Sequence, residues 1–224
     1  MNKKSLIKPT PWDTAAFGMP TWELTEYSEE ALRQAAQKAG HFTLKVDPLA
    51  DKRLLHEHGF YYCDTLIEPH CKHARLHASL HPKATISKEV DAEKILAICH
   101  GAFLHGRFHR DFNLSKAVAD LRYDNWLKQL LEAGQVYGLY WENVFAGFIA
   151  HNDNNLALHA LSEQYRGKNL SKHWWSAVCI DLMNSGHPEV KSSISAANMP
   201  VLNLYASLGF SFHKPQDVYH RMTP

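Results

Sequence analysis

The sequence predicts an α/β protein in mixed α and β layers, and three observations carry that prediction. Segments with apolar residues at every second position alternate with segments at helical spacing along most of the chain. Residues 136–141 and 144–151 are two such strands joined by Glu142-Asn143, short enough for a hairpin. Residues 155–175 read as a strand, a sharp polar turn and a helix, and the chain is organised around that unit.

From the N-terminus, Trp12-Asp13-Thr14-Ala15-Ala16-Phe17-Gly18-Met19-Pro20 reads as a loop by its Gly and Pro. Ser28, with Glu29 and Glu30 behind it, begins a helix to about Lys38 that Gly40 ends. Residues 41–46 alternate as a strand. Pro48 opens a second helix, with Leu54 and Leu55 as its core positions and Gly59 as its cap. Residues 60–67 are a second strand, and residues 73–81 alternate strictly. Pro82-Lys83 then separates a small α/β N-terminal domain, residues 1–82, from a larger one, residues 83–224. There, residues 84–88 are a strand, and Asp91 caps a helix whose apolar face is Ile95, Ile98, Cys99, Ala102 and Phe103. Residues 106–112 form a basic, aromatic loop. Ser115 begins a long helix to Glu132, stopped by Gly134. The central helix ends at Gly186, residues 190–195 are a strand, and 200–207 a short helix stopped by Gly209. Residues 210–213 and 218–222 finish the sheet, giving βααβββαβαββ from residue 84.

The chain of 224 residues is 45% hydrophobic and 21% charged, ordinary for a soluble globular protein. A net charge of +1 gives no electrostatic case for nucleic acid or membrane partners. No apolar run approaches the length of a membrane span, and the first residues lack the apolar core of a signal peptide. Cys63, Cys71, Cys99 and Cys179 have no paired spacing, which points to free thiols in a reducing cytoplasm.

In the central unit, Leu156, Leu158 and Ala160 alternate, and from Leu170 the apolar residues recur through Trp174, Ala177, Val178 and Leu182. Between them lies Gln164-Tyr165-Arg166-Gly167-Lys168-Asn169, where Gly167 supplies the freedom a tight turn needs. A turn opening a helix offers unpaired N–H groups and the positive end of the helix dipole, and Arg166 and Lys168 add full charge. Such a point attracts an anion, above all a pyrophosphate. A plain basic turn closing a strand–helix unit has the same composition.

That turn, together with Asn198-Met199-Pro200-Val201-Leu202-Asn203-Leu204-Tyr205-Ala206-Ser207-Leu208-Gly209-Phe210, resembles the GCN5-related N-acetyltransferases. Their first motif is Gln/Arg-x-x-Gly-x-Gly/Ala; their last is an Asn, a Tyr seven residues on, then Leu-Gly-Phe. The second match is close, whereas Asn169 and Ser171 depart from the first, although Asn tolerates positive φ. The resemblance covers about residues 84–224 and implies a central mixed, mostly antiparallel sheet. Trp12-Asp13 with Phe17-Gly18, Leu55 with Gly59-Phe60 and Asp64, and Phe103 through Trp126 look like the acetyltransferases of dTDP-fucosamine, a 4-amino-4,6-dideoxy sugar nucleotide.

The resemblance implies direct acetyl transfer from acetyl-CoA to the amine of a nucleotide-linked deoxyamino sugar. It implies that backbone groups at Leu161 and Glu163 hold the pantetheine arm, and that Arg166, Gly167, Lys168, Asn169, Leu170 and Ser171 hold the pyrophosphate. Tyr205 would be the general acid facing the thioester sulfur, with Asn198 and Asn203 on the cofactor; by position alone Asn198 also suits a helix cap. Asp64 would take the proton of the amine, and an Asp needs burial to be an efficient base. Glu163 and His159 are alternatives. Arg107, Tyr123 and Trp126 would bind the acceptor's diphosphate and base or sugar. The sixteen histidines include the run His70, His73, His77 and His81, but no metal-ligand spacing is present and no metal is expected. A homodimer is possible. Rival readings are an acceptor such as a protein N-terminus, an amino acid or a polyamine, and a non-catalytic acyl-CoA-binding module.

Overall fold

The computed structural model describes residues 5–223. In chain order they form β1 (Ile7–Pro9), α1 (Pro11–Phe17), β2 (Thr21–Leu24), α2 (Glu29–Ala36), β3 (Gly40–Val46), α3 (Arg53–Glu57), β4 (Tyr61–Lys72) and β5 (Ala84–Ser87). Then follow α4 (Ala92–Cys99), α5 (Lys116–Glu132), β6 (Val136–Trp141), β7 (Val144–Asn152), β8 (Asn155–Leu161), α6 (Ser171–Asn184), β9 (Glu189–Ser192), β10 (Ile194–Ser195), α7 (Met199–Ser207) and β11 (Ser211–Thr223).

Helix starts sit where capping side chains put them. Ser28, Asp91, Ser115 and Asn198 each accept a hydrogen bond from the N–H three residues on. The β6–β7 hairpin turns on Glu142 at φ 50° and Asn143 at φ 66°, the left-handed pair that matches strand twist.

The strands form one sheet in the order β1-β2-β3-β11-β4-β9-β8-β7-β6-β5, with β10 pairing β4. The β2–β3 and β8–β9 pairs are parallel and the other pairs antiparallel, a mixed and mostly antiparallel sheet. The C-terminal strand β11 lies between β3 and β4, so residues on both sides of position 82 share the sheet. Beyond β4, helices cover both faces. On one, Trp174, Val178 and Leu182 of α6 meet Tyr137, Leu139, Ile149 and Leu156. On the other, Ile95, Cys99, Leu127 and Leu130 meet Val136, Phe148, Ala150 and Leu158. In the N-terminal third, Ala31, Leu32 and Ala35 of α2 cover Phe42 and Leu44 of β3.

Five local expectations are corrected. The Trp12 to Pro20 segment begins as helix α1, because Pro11 suits its first turn, Asp13 faces its positive end and Gly18 closes it at φ 68°. The second helix starts at Arg53 rather than Pro48, and of its two leucines only Leu55 is buried. Residues 73–81 form no strand: after a 3-10 turn at His73–Arg75 the chain runs across the helices, where His77 N–H reaches Leu208 O (3.0 Å) and Ser79 N–H reaches Ser176 Oγ (2.9 Å). Of the alternating apolar residues only Leu76 is half-buried there, while Ala74, Ala78 and Leu80 are exposed, so the alternation does not record burial. Residues 211–223 are one strand, interrupted by a register shift between His213 and Gln216 that absorbs Lys214 (φ 45°) and Pro215. Finally, a bulge at Ala157 turns Leu156 and Leu158 to opposite faces.

Candidate active site

The strands β8 and β9 pair for two residues and then part. Asn155 opposes Lys191 and Leu156 opposes Ser192, after which the chain turns through β10 to pair Ile194 with Ile67 of β4. Ser192 Oγ donates to Leu156 O at 2.8 Å at the point of divergence. Ser162 N–H bonds to Ala146 O at 2.8 Å on the β7 side. By the alternation of a strand, the backbone groups of His159 and Leu161 therefore point away from β7, into the opening. The bulge at Ala157 places the His159 side chain on the α6 face.

The turn between β8 and α6 has two left-handed residues, Gly167 at φ 71° and Asn169 at φ 56°. Asn169 thus holds the conformation for which it was singled out. The helix starts at Ser171 with no side chain capping it, so N–H groups of its first turn face outward beside the exposed Arg166 and Lys168. Leu170 O takes the N–H of His173 at 3.1 Å. Glu163 is exposed in the short turn Glu163–Tyr165. Arg166 folds back, its Nε donating to Leu161 O at 2.7 Å.

Beneath the opening lies Tyr205, set on α7 by the Asn198 cap and Pro200 in the first turn. It is fully buried, its hydroxyl 3.2 Å from His159 Nε2 and its ring against Phe210. Burial pushes the Tyr205 pKa well above the phenol range and lowers that of His159 to about 4, so both are neutral near pH 7. Trp175 stands edge-on to His159, and its buried Nε1, like Ser192, lies beside the Tyr205 hydroxyl. Asn198 is a cap, accepting from Val201 N–H at 3.4 Å. Asn203 is exposed, about 200° round the helix from Tyr205.

Asp64 is fully buried on β4. Its Oδ1 accepts from Ser195 Oγ (2.7 Å), Arg110 Nη1 (2.8 Å) and Thr65 N–H (2.9 Å). Its Oδ2 has no partner among the described residues. Desolvation raises the Asp64 pKa, against the opposing pull of Ser195 and Arg110. Residues 192–195 link this carboxylate to the phenol: Ser192 lies within reach of the Tyr205 hydroxyl, and Ser195 bonds Asp64.

Arg107, Tyr123 and Trp126 gather on the neighbouring loop and α5. The Arg107 guanidinium covers Phe108 at 4.7 Å, Tyr123 stacks on Phe103 (4.8 Å) and His109 (5.6 Å), and Trp126 carries Arg122 over its ring at 4.8 Å. Arg107 acts electrostatically on Asp64, and burial followed by Arg122 lowers its own pKa. Tyr123 and Trp126 also pack on the α4–α5 core.

Sequence reasoning missed Arg110 and Ser195, since neither lies at a motif spacing. It also missed the group around Asp111. Asp111 Oδ2 accepts from His41 Nε2 (2.9 Å) and His220 Nδ1 (2.7 Å), while Oδ1 accepts from Tyr61 Oη (2.9 Å) and Asn113 N–H (2.9 Å). These lengths are those of hydrogen bonds to a carboxylate. The group holds the loop carrying Arg107 and Arg110 against β3, β4 and β11. Burial lowers the His220 pKa to about 3.

No family model matches the chain, and no curated protein matches it in sequence. Solved structures do match in fold. A GCN5-related N-acetyltransferase from Sphaerobacter thermophilus superposes with a TM-score of 0.60 at 12% identity over 86% of this chain, which spans 64% of that protein. A functionally unknown conserved protein from Staphylococcus epidermidis gives 0.65 at 14% over 100% of this chain and 94% of its own. A GCN5-related N-acetyltransferase from Kribbella flavida gives 0.56 at 12%, over 92% and 82%. The fold of this chain is that of the GCN5-related N-acetyltransferases. No helix among the described residues is long and apolar enough to cross a membrane.

Proposed function

We propose that the protein is an acetyl-CoA-dependent N-acetyltransferase, transferring acetyl directly to an amine in a ternary complex in the cytoplasm. The observation that carries this reading is the parting of β8 from β9 directly above the buried Tyr205 and beside an uncapped helix start. In this reading the N–H groups from Arg166 to Ser171 hold the pyrophosphate, and the strand-end groups of Leu161 with Glu163 take the pantetheine arm. Attack by the amine forms a tetrahedral oxyanion, which backbone N–H groups at the opening stabilise. Its collapse expels the thiolate, to which Tyr205 gives its proton.

Asp64 is the base for the acceptor ammonium. Its buried Oδ2 has no partner among the described residues, so the proton reaches it through water, and desolvation makes it a better proton acceptor than an ordinary Asp. Residues 1–82 thereby contribute Asp64 to the acceptor end, while residues 83–224 hold the donor end and bring Arg107, Tyr123 and Trp126 to the acceptor. At the acceptor end Arg110 and Arg122 are paired with Asp64 and Asp13, which of the three arginines leaves the Arg107 guanidinium as the cation there beside the rings of Phe108, Tyr123 and Trp126. This favours an acceptor with an anionic portion, such as a nucleotide-linked deoxyamino sugar, over a polyamine. The test is thiol release from acetyl-CoA against amino-sugar nucleotides, peptides, amino acids and polyamines. Turnover with a sugar nucleotide alone supports the reading in full. Tight CoA binding without turnover on any acceptor overturns the enzyme and leaves a binding module.

A further inference from the structure

From the contact between Arg166 and Leu161 we infer that Arg166 is a donor-specificity residue: its guanidinium closes the strand-end carbonyl until a diphosphate draws it away. The inference rests on the acetyl-CoA reading above. Leu161 O points into the opening, the side from which an amide N–H of a pantetheine arm would need an acceptor. That acceptor is already taken, by Arg166 Nε at 2.7 Å.

The local backbone gives Arg166 an alternative. The residue is extended (φ −72°, ψ 150°) and is followed by Gly167 at φ 71°, so the chain reverses there towards the start of α6. An anion at that helix start lies beside the root of the Arg166 side chain. A guanidinium bound to a carbonyl has a neutral acceptor. One bound to a diphosphate gains a charge-assisted and bidentate partner, roughly twice as strong per hydrogen bond. A donor bearing a pyrophosphate therefore compensates Arg166 for leaving Leu161 and frees the carbonyl for its own arm. A pantetheine thioester without that pyrophosphate must break the contact with only water to take up the exposed guanidinium. The site thus selects nucleotide-diphosphate-linked pantetheine thioesters over bare pantetheine.

The probes are CoA and pantetheine, titrated calorimetrically into the wild-type protein and Arg166→Ala; Arg166 is exposed, and an unchanged thermal midpoint will show the fold intact. The expected result has opposite signs for the two probes. Loss of one net hydrogen bond should weaken CoA by about 3- to 10-fold, and release of Leu161 O should tighten pantetheine by a similar factor. Pantetheine binding that is unchanged or weaker in Arg166→Ala, with CoA still bound by the wild type, overturns the role of Arg166 alone. Failure of the wild type to bind CoA at all overturns the donor site, and this role with it.

Discussion

A tyrosine buried to zero exposure keeps its proton at neutral pH, so in the proposed chemistry Tyr205 meets the leaving thiolate in its protonated form. Its hydroxyl rests against the neutral His159 until a thiolate forms beside it. Tyr205→Phe should lower kcat for thiol release by roughly 10²-fold or more while CoA affinity stays near that of the wild type. Equal loss of both would mean that Tyr205 only holds the helix in place. Asn169 offers a second test at this scale. At φ 56° it should accept Gly with little change, whereas Asn169→Ala should cost roughly 1–2 kcal/mol, read as a lower thermal midpoint and weaker CoA binding. The buried histidines set the pH response. His159 and His220 are neutral in the folded protein, with pKa values of about 4 and about 3 against 6.5 when exposed. Between 6.5 and those values the unfolded chain binds more protons, so these residues stabilise the fold at neutral pH and cease to as pH falls. The thermal midpoint should drop from pH 7 to pH 5, less steeply in His159→Gln; an unchanged slope there would remove His159 from the account.

Among the elements, the β7–β8 pair carries the opening, and its closeness depends on one glycine. A Cβ on Gly147 would meet the Ala160 carbonyl and the Leu161 side chain across the pair. Gly147→Ala should therefore push the strand end out of line, destabilising the protein by about 1–3 kcal/mol in urea denaturation. It should also weaken pantetheine binding, because Leu161 lies opposite Gly147. The helix α6 owes its exposed first-turn donors to a turn of the chain, with no cap side chain in the way.

For the whole molecule, the decisive strand is the last. With β3 on one side and β4 on the other, β11 binds the N-terminal third to the remainder, and unfolding should follow a single cooperative transition in urea. The carboxylate of Asp111 ties the same junction from within. Asp111→Ala should leave the His41, His220 and Tyr61 donors without an acceptor and destabilise the fold by about 3–5 kcal/mol. Two separate transitions would show that the halves melt independently.

The α/β layering, the caps at Ser28, Asp91, Ser115 and Asn198, the hairpin at Glu142-Asn143 and the strand–turn–helix around Gly167 and Asn169 were legible in the sequence. Each rests on short-range physics: periodic burial, a side chain bonding an N–H three residues on, a backbone torsion that few residues adopt. The same local rules misread residues 73–81, where Ala74, Ala78 and Leu80 alternate in the sequence yet lie exposed, so the pattern there reports no buried face. They also missed the β8 bulge, which moves Leu156 to the face opposite Leu158. Only the tertiary structure decided that β11 enters between β3 and β4, and that Ser195 and Arg110 converge on Asp64. It alone brought His41, Asp111 and His220 into one buried group. Those side-chain pairings join residues 46 to 131 positions apart, and no local pattern encodes them, because their energy exists only once the sheet has closed.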